Sequence, residues 1–118
     1  MNKRTTGAQY EELAAEFLEK KGCRIIDKNF RIRSGEIDLI VRDGRYLVFV
    51  EVKYRKNVQK GSPLAAVDAR KQRVILQTAQ YYLHRKGYPE DMPCRFDVIG
   101  ICGEEIVHVK DAFWAGDF

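Results

Sequence analysis

Residues 35–53 read GEIDLIVRDGRYLVFVEVK, two largely apolar runs separated by Asp43-Gly44. Both runs are rich in β-branched and aromatic residues, which favour strands. An Asp-Gly pair between two such runs is the strongest short-range signal for a β-hairpin. The sequence therefore predicts a strand over residues 36–42, a two-residue turn at Asp43-Gly44 and a second strand over residues 45–54.

The sequence on either side of this hairpin completes an α/β pattern. Residues 24–32 predict a preceding strand, joined to the hairpin by a turn at Ser34-Gly35. Apolar residues at helical spacing predict two helices, and a last pair of strands is predicted around Gly103-Glu104. The predicted helices cover residues 7–21 and 68–86, and the last strands cover residues 94–102 and 105–110. We therefore expect one α/β domain over residues 1–118, with a mixed or antiparallel sheet in the order α-β-β-β-α-β-β.

The predicted register of the hairpin gathers acidic side chains on one face. If Asp43-Gly44 is the loop, Asp38 faces Phe49 and Glu36 faces Glu51, because partners then sum to a constant. Asp38 and Glu51 become diagonal neighbours, about 7–8 Å apart at the backbone. The opposite face is wholly apolar and consists of Ile37, Leu39, Val41, Tyr46, Val48, Val50 and Val52.

Two carboxylates that converge in a partly buried place need a cation, since at 4 Å they repel by ~4 kcal/mol at an effective dielectric of 20. Lys53 supplies one positive charge. A divalent ion could supply the rest, and oxygen ligands with few histidines favour Mg²⁺ or Mn²⁺. The alternative is an ordinary Glu51–Lys53 ion pair, with Asp38 hydrogen-bonded locally.

Each predicted helix contributes polar residues that its position leaves ambiguous. Glu11 borders the apolar stripe of the first helix, either as a site acid or as a boundary glutamate. Gln72 lies within the apolar stripe of the second helix, where its amide needs partners from a polar site or from nearby backbone. Val74 and Tyr81 lie off that stripe and either pack under a loop or form a self-association patch.

Charge is concentrated in one part of the chain. The net charge of the whole chain is +4, but residues 53–86 contain nine basic side chains and one acidic side chain. Such a block favours binding to a polyanion such as nucleic acid. The alternative is a solvated basic face.

Membrane insertion and secretion find no support in the sequence. The longest apolar run, Tyr46 to Val50, has five residues, whereas a membrane helix needs about 20. The N-terminus has no apolar signal-peptide core. The three cysteines form no C-x-x-C pair, which indicates free thiols. We therefore expect a cytoplasmic protein with no membrane partner.

The residues above, together with several short motifs, resemble the YraN family of predicted endonucleases, which is similar to the PD-(D/E)XK nuclease superfamily and its Holliday junction resolvases. The resemblance covers about residue 7 to Phe113. It rests on Gly7-x-x-x-Glu11, Asn29-Phe30-Arg31-x-Arg33-x-Gly35-Glu36-Ile37-Asp38-Leu39-Ile40, Phe49-Val50-Glu51-Val52-Lys53-x-Arg55, Gly61-x-Pro63, Ala66-Val67, Lys71-Gln72 and Arg95-Phe96-Asp97-Val98.

This resemblance implies a restriction-endonuclease-like αβββαβ core and a Mg²⁺ or Mn²⁺ site. Asp38, Glu51 and the backbone carbonyl of Val52 would bind the metal. Glu11 would be a further acid that binds metal directly or through water, and Lys53 would be the motif lysine. Glu36 and Gln72 would lie beside the site. The residues expected to bind nucleic acid are Arg31, Arg33, Arg55, Lys56, Lys60, Arg70, Lys71 and Arg73.

The resulting hypothesis is a metal-dependent nuclease that hydrolyses phosphodiester bonds in structured or branched DNA, with no organic cofactor. The similarity to resolvases also suggests a homodimer. Two alternatives stay open on the sequence alone. One is a DNA-binding module of the same fold without turnover, and the other is a protein-interaction module.

Overall fold

The computed structural model describes residues 3–55 and 63–114 of the chain. It contains two α-helices, five strands and one turn of 3₁₀-helix over Pro63–Ala66. The helices and strands are α1 (Lys3–Lys20), β1 (Arg24–Ile32), β2 (Gly35–Asp43), β3 (Tyr46–Tyr54), α2 (Ala69–Arg85), β4 (Cys94–Cys102) and β5 (Glu105–Phe113).

The five strands form one mixed sheet in the order β1-β2-β3-β4-β5. Neighbouring strands are antiparallel except for β3 and β4, which are parallel. A parallel pair needs a crossover connection, and α2 lies in the segment that joins β3 to β4. The sheet with its two helices confirms the predicted αβββαβ core.

The helices cover opposite faces of this sheet. Ala14 and Leu18 of α1 pack in one apolar cluster, together with the β2 and β3 side chains Leu39, Val41, Val48 and Val50. Ile75 and Tyr82 of α2 pack in a second cluster, together with Ile40, Leu47 and Phe49. Because β3 is central and covered on both faces, its polar residues are confined to its ends. Neither described helix has an apolar stretch that could cross a bilayer.

Each helix is followed, two residues beyond its end, by a glycine with positive φ, Gly22 after α1 and Gly87 after α2. The N–H of Gly22 donates to the carbonyl of Glu19, and the N–H of Cys23 donates to the carbonyl of Leu18. This Schellman arrangement places a left-handed residue just beyond the helix, and Gly22 has φ +96°. At the other end, α1 begins at Lys3, earlier than the predicted residue 7.

The predicted hairpin register is wrong by two residues. Asp43 pairs with Tyr46 and Leu39 pairs with Val50, so the two-residue loop is Gly44-Arg45. Of the two loop residues, only Gly44 has a positive φ, +59°. This is the backbone conformation expected of a two-residue hairpin loop with glycine at its first position. A shift of two residues leaves the side chains of the paired stretch, residues 39–43, on their predicted faces. It brings Glu51 level with Asp38, instead of with Glu36.

Two further predictions about the sheet need correction. Ile37 packs in the cluster on the α2 side, not with Leu39 on the α1 side, because the start of β2 lies directly under α2. Strand β5 continues to Phe113, three residues beyond the predicted end. The N–H of Asp111 donates to the buried carboxylate of Asp97, and Phe113 then stacks on Phe96 with ring centroids 5.3 Å apart.

Gly35 sets the distance between α2 and the β1–β2 turn. A Cβ atom at this position would meet Cγ1 of Val74 at 2.7 Å and would overlap Oγ1 of Thr78. The Thr78 hydroxyl donates to the carbonyl of Val74 at 2.7 Å, so it cannot turn away without losing that bond. Only glycine allows this approach of helix and turn.

We expect Gly35→Ala to lower the free energy of unfolding by about 1–3 kcal/mol, as overpacking does. Gly7 is the control, because nothing lies within 4 Å of a Cβ added there. Gly7→Ala should leave stability unchanged or raise it by up to ~1 kcal/mol, since alanine favours helices. Urea unfolding of the three proteins measures both values. A Gly35→Ala protein as stable as the parent would show that α2 does not depend on this contact.

Candidate active site

Asp38 and Glu51 come together where the ladder between β2 and β3 ends. The paired register stops at Leu39↔Val50. The N–H of Val52 then donates to Oδ2 of Asp38 at 2.8 Å. Glu51 is only 5% exposed, and its carboxylate hydrogen-bonds the carboxyl group of Asp38. The structure thus brings together the two acids that the sequence singled out.

The pair holds a proton under ordinary conditions. Burial of the Asp38 carboxyl group, followed by the negative charge of Glu51, raises the pKa of Asp38 to about 8. The Val52 N–H opposes this by stabilising the carboxylate, and the charge of Glu11 adds to the rise. Like charges forced together in a partly dry place cannot both ionise cheaply. Asp38 is therefore neutral near pH 7 unless a cation joins the pair.

Two lysines contact the same oxygen of Glu51. The Nζ atoms of Lys53 and Lys71 lie 3.4 and 3.0 Å from its Oε2 atom. Burial lowers the pKa of Lys71, but the hydrogen bond and charge of Glu51 outweigh this and leave the pKa raised. The raised pKa keeps the Lys71 ammonium group charged beside Glu51, and Lys53 flanks the same oxygen.

Lys71 is the site residue that sequence reasoning placed elsewhere, as a phosphate contact. It lies in the first turn of α2, where Asp68 accepts the Lys71 N–H at 2.9 Å and caps the helix. One sequence feature could have indicated that Lys71 belongs to the site: it is adjacent to Gln72, which lies in the apolar stripe of α2. Whether this turn reaches β3 depends on how α2 docks, which no local pattern specifies.

Glu11 lies near the pair without joining it. Its charge acts on Asp38, and α1 is held at this end of the sheet by Tyr10, whose ring stacks on that of Tyr54 with centroids 4.2 Å apart. Among residues 3–55 and 63–114, no three His, Cys, Asp or Glu side chains are grouped closely enough to hold a metal ion. The three-acid metal site therefore stays a prediction.

The two predicted neighbours of the site have partners of their own. Nε2 of Gln72 donates to the carbonyl of Val67 at 2.9 Å, so its amide is satisfied by nearby backbone, one of the two alternatives from the sequence. Glu36 accepts from the guanidinium of Arg31 at 2.9 Å. It belongs to the exposed start of β2 rather than to the buried pair.

A groove of about 380 Å³ opens beside the pair, between the start of β2 and the first turns of α2. Its lining includes Lys71, which links it to Glu51. The other lining residues are Gly35, Glu36, Asp68, Arg70, Val74 and Ile75. Of the predicted phosphate-binding residues, Arg31, Arg33, Arg70 and Arg73 are exposed near this side, and Arg55 is half-buried beyond the end of β3. Lys56 and Lys60 lie outside the described residues.

A second buried polar network lies on the α1 side of the sheet, away from the site. The Asp97 carboxylate binds Arg95 at 3.0 Å and Nε2 of His108 at 2.7 Å. Arg95 also contacts Asp43 at 2.9 Å. Although burial opposes it, hydrogen bonds from His108 and Arg95 hold the pKa of Asp97 below its usual value. Each charge here is paired, so the network ties β2, β4 and β5 together and leaves no group poised for chemistry.

The fold and site define a small α/β domain with a buried pair of acids and two lysines at the end of its central strand. The chain matches the model of Uncharacterised protein family UPF0102 over residues 10–101. It belongs to this family, as the resemblance to YraN proteins predicts.

Several relatives match over nearly the whole chain. A UPF0102 protein of Lachnoclostridium phytofermentans is 50% identical over 113 residues, covering 96% of both chains. A UPF0102 protein of Chlorobium chlorochromatii is 48% identical, covering 92% of this chain and 90% of its own. The UPF0102 protein YraN of Escherichia coli O8 is 47% identical over 109 residues, covering 92% of this chain and 83% of its own.

The raised pKa of Asp38 predicts a specific pH dependence of stability. A carboxyl group whose folded pKa lies above its unfolded value, about 3.9, stabilises the fold at low pH and loses that contribution as pH rises toward 8. Without divalent ions, the free energy of unfolding should therefore fall by up to ~1.4 kcal/mol per pH unit between pH 5 and pH 8. Asp38→Asn should flatten this slope, because its amide keeps an oxygen for Val52 without a charge.

Urea unfolding in EDTA at several pH values measures the slope. Glu36→Gln is the matched control, since it removes an exposed acid of the same strand and should keep the parental slope. Parallel pH profiles for the parent and Asp38→Asn would show that Asp38 titrates normally.

Proposed function

We propose that the protein is a metal-dependent nuclease that hydrolyses phosphodiester bonds in structured or branched DNA. The observation that supports this most is the buried Asp38–Glu51 pair, with Lys53 and Lys71 on the same Glu51 oxygen. Acids kept together at a cost in free energy are typical of functional sites. A purely structural ion pair would need only one acid.

The donor atoms of the pair fit a hard cation such as Mg²⁺ or Mn²⁺. Both side chains offer carboxylate oxygens, the ligands that these ions prefer. The carbonyl of Val52 lies on the same edge of β3 as its N–H, which faces Asp38. Glu11 would complete the shell through water. A bound divalent ion would supply a water of lowered pKa and would neutralise charge on the phosphate.

The protein's own residues would do the remaining work. Asp38 would release its proton to solvent as a cation enters, because the positive charge favours the carboxylate. Oε2 of Glu51, which contacts both ammonium groups, would be one of the oxygens that hold the ion, so that one of the two lysines would become available to the phosphate. Lys53 would then orient the attacking water or stabilise the developing charge. Lys71, which lines the groove, would contact the phosphate.

Phosphate binding outside the pair would come from the basic side chains around the groove. Helix α2 contains no acidic residue along Ala69–Arg85, and Arg70 and Arg73 lie on its exposed side. Contacts of this kind position the substrate without reading its sequence. Binding should therefore weaken steeply with salt, with a slope proportional to the number of phosphates neutralised.

One observation favours a second candidate, a DNA-binding module without turnover. Lys53 and Lys71 already neutralise Glu51, and the described residues offer no third acid in the group. In that case the acids would serve the fold and the basic side chains would serve binding. A protein-interaction role and a homodimer stay predictions from the sequence.

We expect the protein to cleave at least one of four DNA substrates, a four-way junction, a flap, a single strand and a linear duplex, in Mg²⁺ or Mn²⁺. Asp38→Asn and Lys53→Ala should each lower the cleavage rate by at least ~100-fold, because each removes a group that acts on the reacting phosphate. Glu105→Gln, which changes an exposed acid at the start of β5, should cleave normally. Gel assays under single-turnover conditions give these rates.

Metal binding separates the two candidates. For the nuclease, Mn²⁺ should raise the melting temperature of the parent and not that of Asp38→Asn, since ligands stabilise the state that binds them. Salt-sensitive DNA binding without cleavage, together with no effect of Mn²⁺ on the parent, would establish the binding module instead.

A further inference from the structure

One flank of α2 forms a continuous surface that starts at the candidate site. Its residues recur every three or four positions, so they lie on one side of the helix. They are Arg70, Val74, Gln77, Tyr81 and Arg85. This flank faces the β1–β2 side of the sheet, because Val74 packs over Gly35 and Tyr81 contacts Phe30 of β1. We call these five residues the α2 flank.

Tyr81 is an aromatic ring held in place but half open to solvent. Its side chain is 49% exposed, and its ring lies 6.4 Å from that of Phe30, tilted by 35°. Phe30 is itself fixed edge-on against the buried Tyr82, with centroids 4.9 Å apart. The sequence left open whether Val74 and Tyr81 pack under a loop or form a patch. Val74 packs at the β1–β2 turn, whereas Tyr81 keeps an open surface.

The charge around the α2 flank suits a polyanion. Arg70 and Arg85 lie at its two ends, and α2 has no acidic side chain between them. The groove beside Glu51 opens at the Arg70 end. Along a helix each residue adds 1.5 Å, so Lys71 and Tyr81 are separated by about 15 Å. A single strand of a few nucleotides is long enough to span that distance.

We propose that the α2 flank binds a single-stranded segment of the nucleic acid, with a nucleobase stacked on Tyr81. The proposal takes the identity of the ligand from the proposed function. An exposed tyrosine within basic surroundings is the combination that single-strand binding uses, because every base offers a flat face. Bases inside a duplex are already stacked on their neighbours and cannot also stack on a side chain. The substrate would therefore have unpaired nucleotides within a few positions of the phosphate at Glu51.

The test is a binding measurement in which nothing is cleaved. All variants are made in the Asp38→Asn protein and studied in EDTA, with a 12-nucleotide single strand and a blunt duplex of the same sequence. Tyr81→Ala should weaken single-strand binding by about tenfold, within the range found for removal of one base–aromatic stack. Tyr81→Phe keeps the ring and should bind as the parent does. Neither change should alter binding to the blunt duplex.

Salt dependence distinguishes stacking from phosphate contact. Tyr81→Ala should leave the slope of log affinity against log salt unchanged, whereas Arg70→Ala should reduce it by about one. Equal losses for Tyr81→Ala on single strand and duplex, or equal affinities for the alanine and phenylalanine variants, would overturn the proposal. So would a Tyr81-dependent dimer in sedimentation equilibrium, which would assign the patch to self-association.

This experiment is independent of catalysis. If the protein cleaves DNA but Tyr81→Ala does not weaken single-strand binding, the nuclease acts without using Tyr81. A protein that passes it but never cleaves would be a single-strand binding module, so failure of the stacking proposal and failure of the proposed function give different results.

Discussion

The central constraint on this structure is the buried carboxylate of Glu51. It lies in the second half of β3, a strand that is covered by α1 on one face and by α2 on the other, so water cannot neutralise it. Lys53 and Lys71 do so instead, at 3.4 and 3.0 Å from one oxygen. Removing one partner of a buried ion pair commonly costs 3–5 kcal/mol. The position of α2 over the sheet is therefore tied to the charge at the end of β3.

Most of the fold could be predicted because its signals are local. Strand alternation placed Asp38 and Glu51 on one face, and that face survived a register error of two residues because the period of a strand is two. The two helices terminate near Gly22 and Gly87 because glycine readily adopts a positive φ. The error itself came from treating Asp43 as a loop residue. Asp43 instead pairs across the hairpin and contacts Arg95 of β4, a partner fifty-two positions away in the sequence.

The parts that could not be predicted depend on how distant segments dock. The sequence gives no distance between Lys71 and Glu51, because that distance is set by the contact of α2 with Gly35 and with the sheet. The network of Arg95, Asp97 and His108 could not be predicted for the same reason. In the sequence these are polar interruptions of strands, yet Asp97 is 1% exposed and every charge finds a partner. Both the Lys71–Glu51 contact and the Asp97 network depend on which side chains become buried. Burial is set by how the two helices pack on the sheet.

Helix α2 connects the buried acid pair with the exposed ring of Tyr81. Lys71 in its first turn contacts Glu51, and Tyr81 in its fourth turn contacts β1. The helix is capped by Asp68 at its start and closed by Gly87 at its end, so little fraying can change its length. The spacing between the acid pair and the open aromatic ring is consequently fixed by helix geometry. A loop at either position would leave that spacing variable, whereas a capped helix that packs closely against Gly35 fixes the distance between Tyr81 and the acid pair.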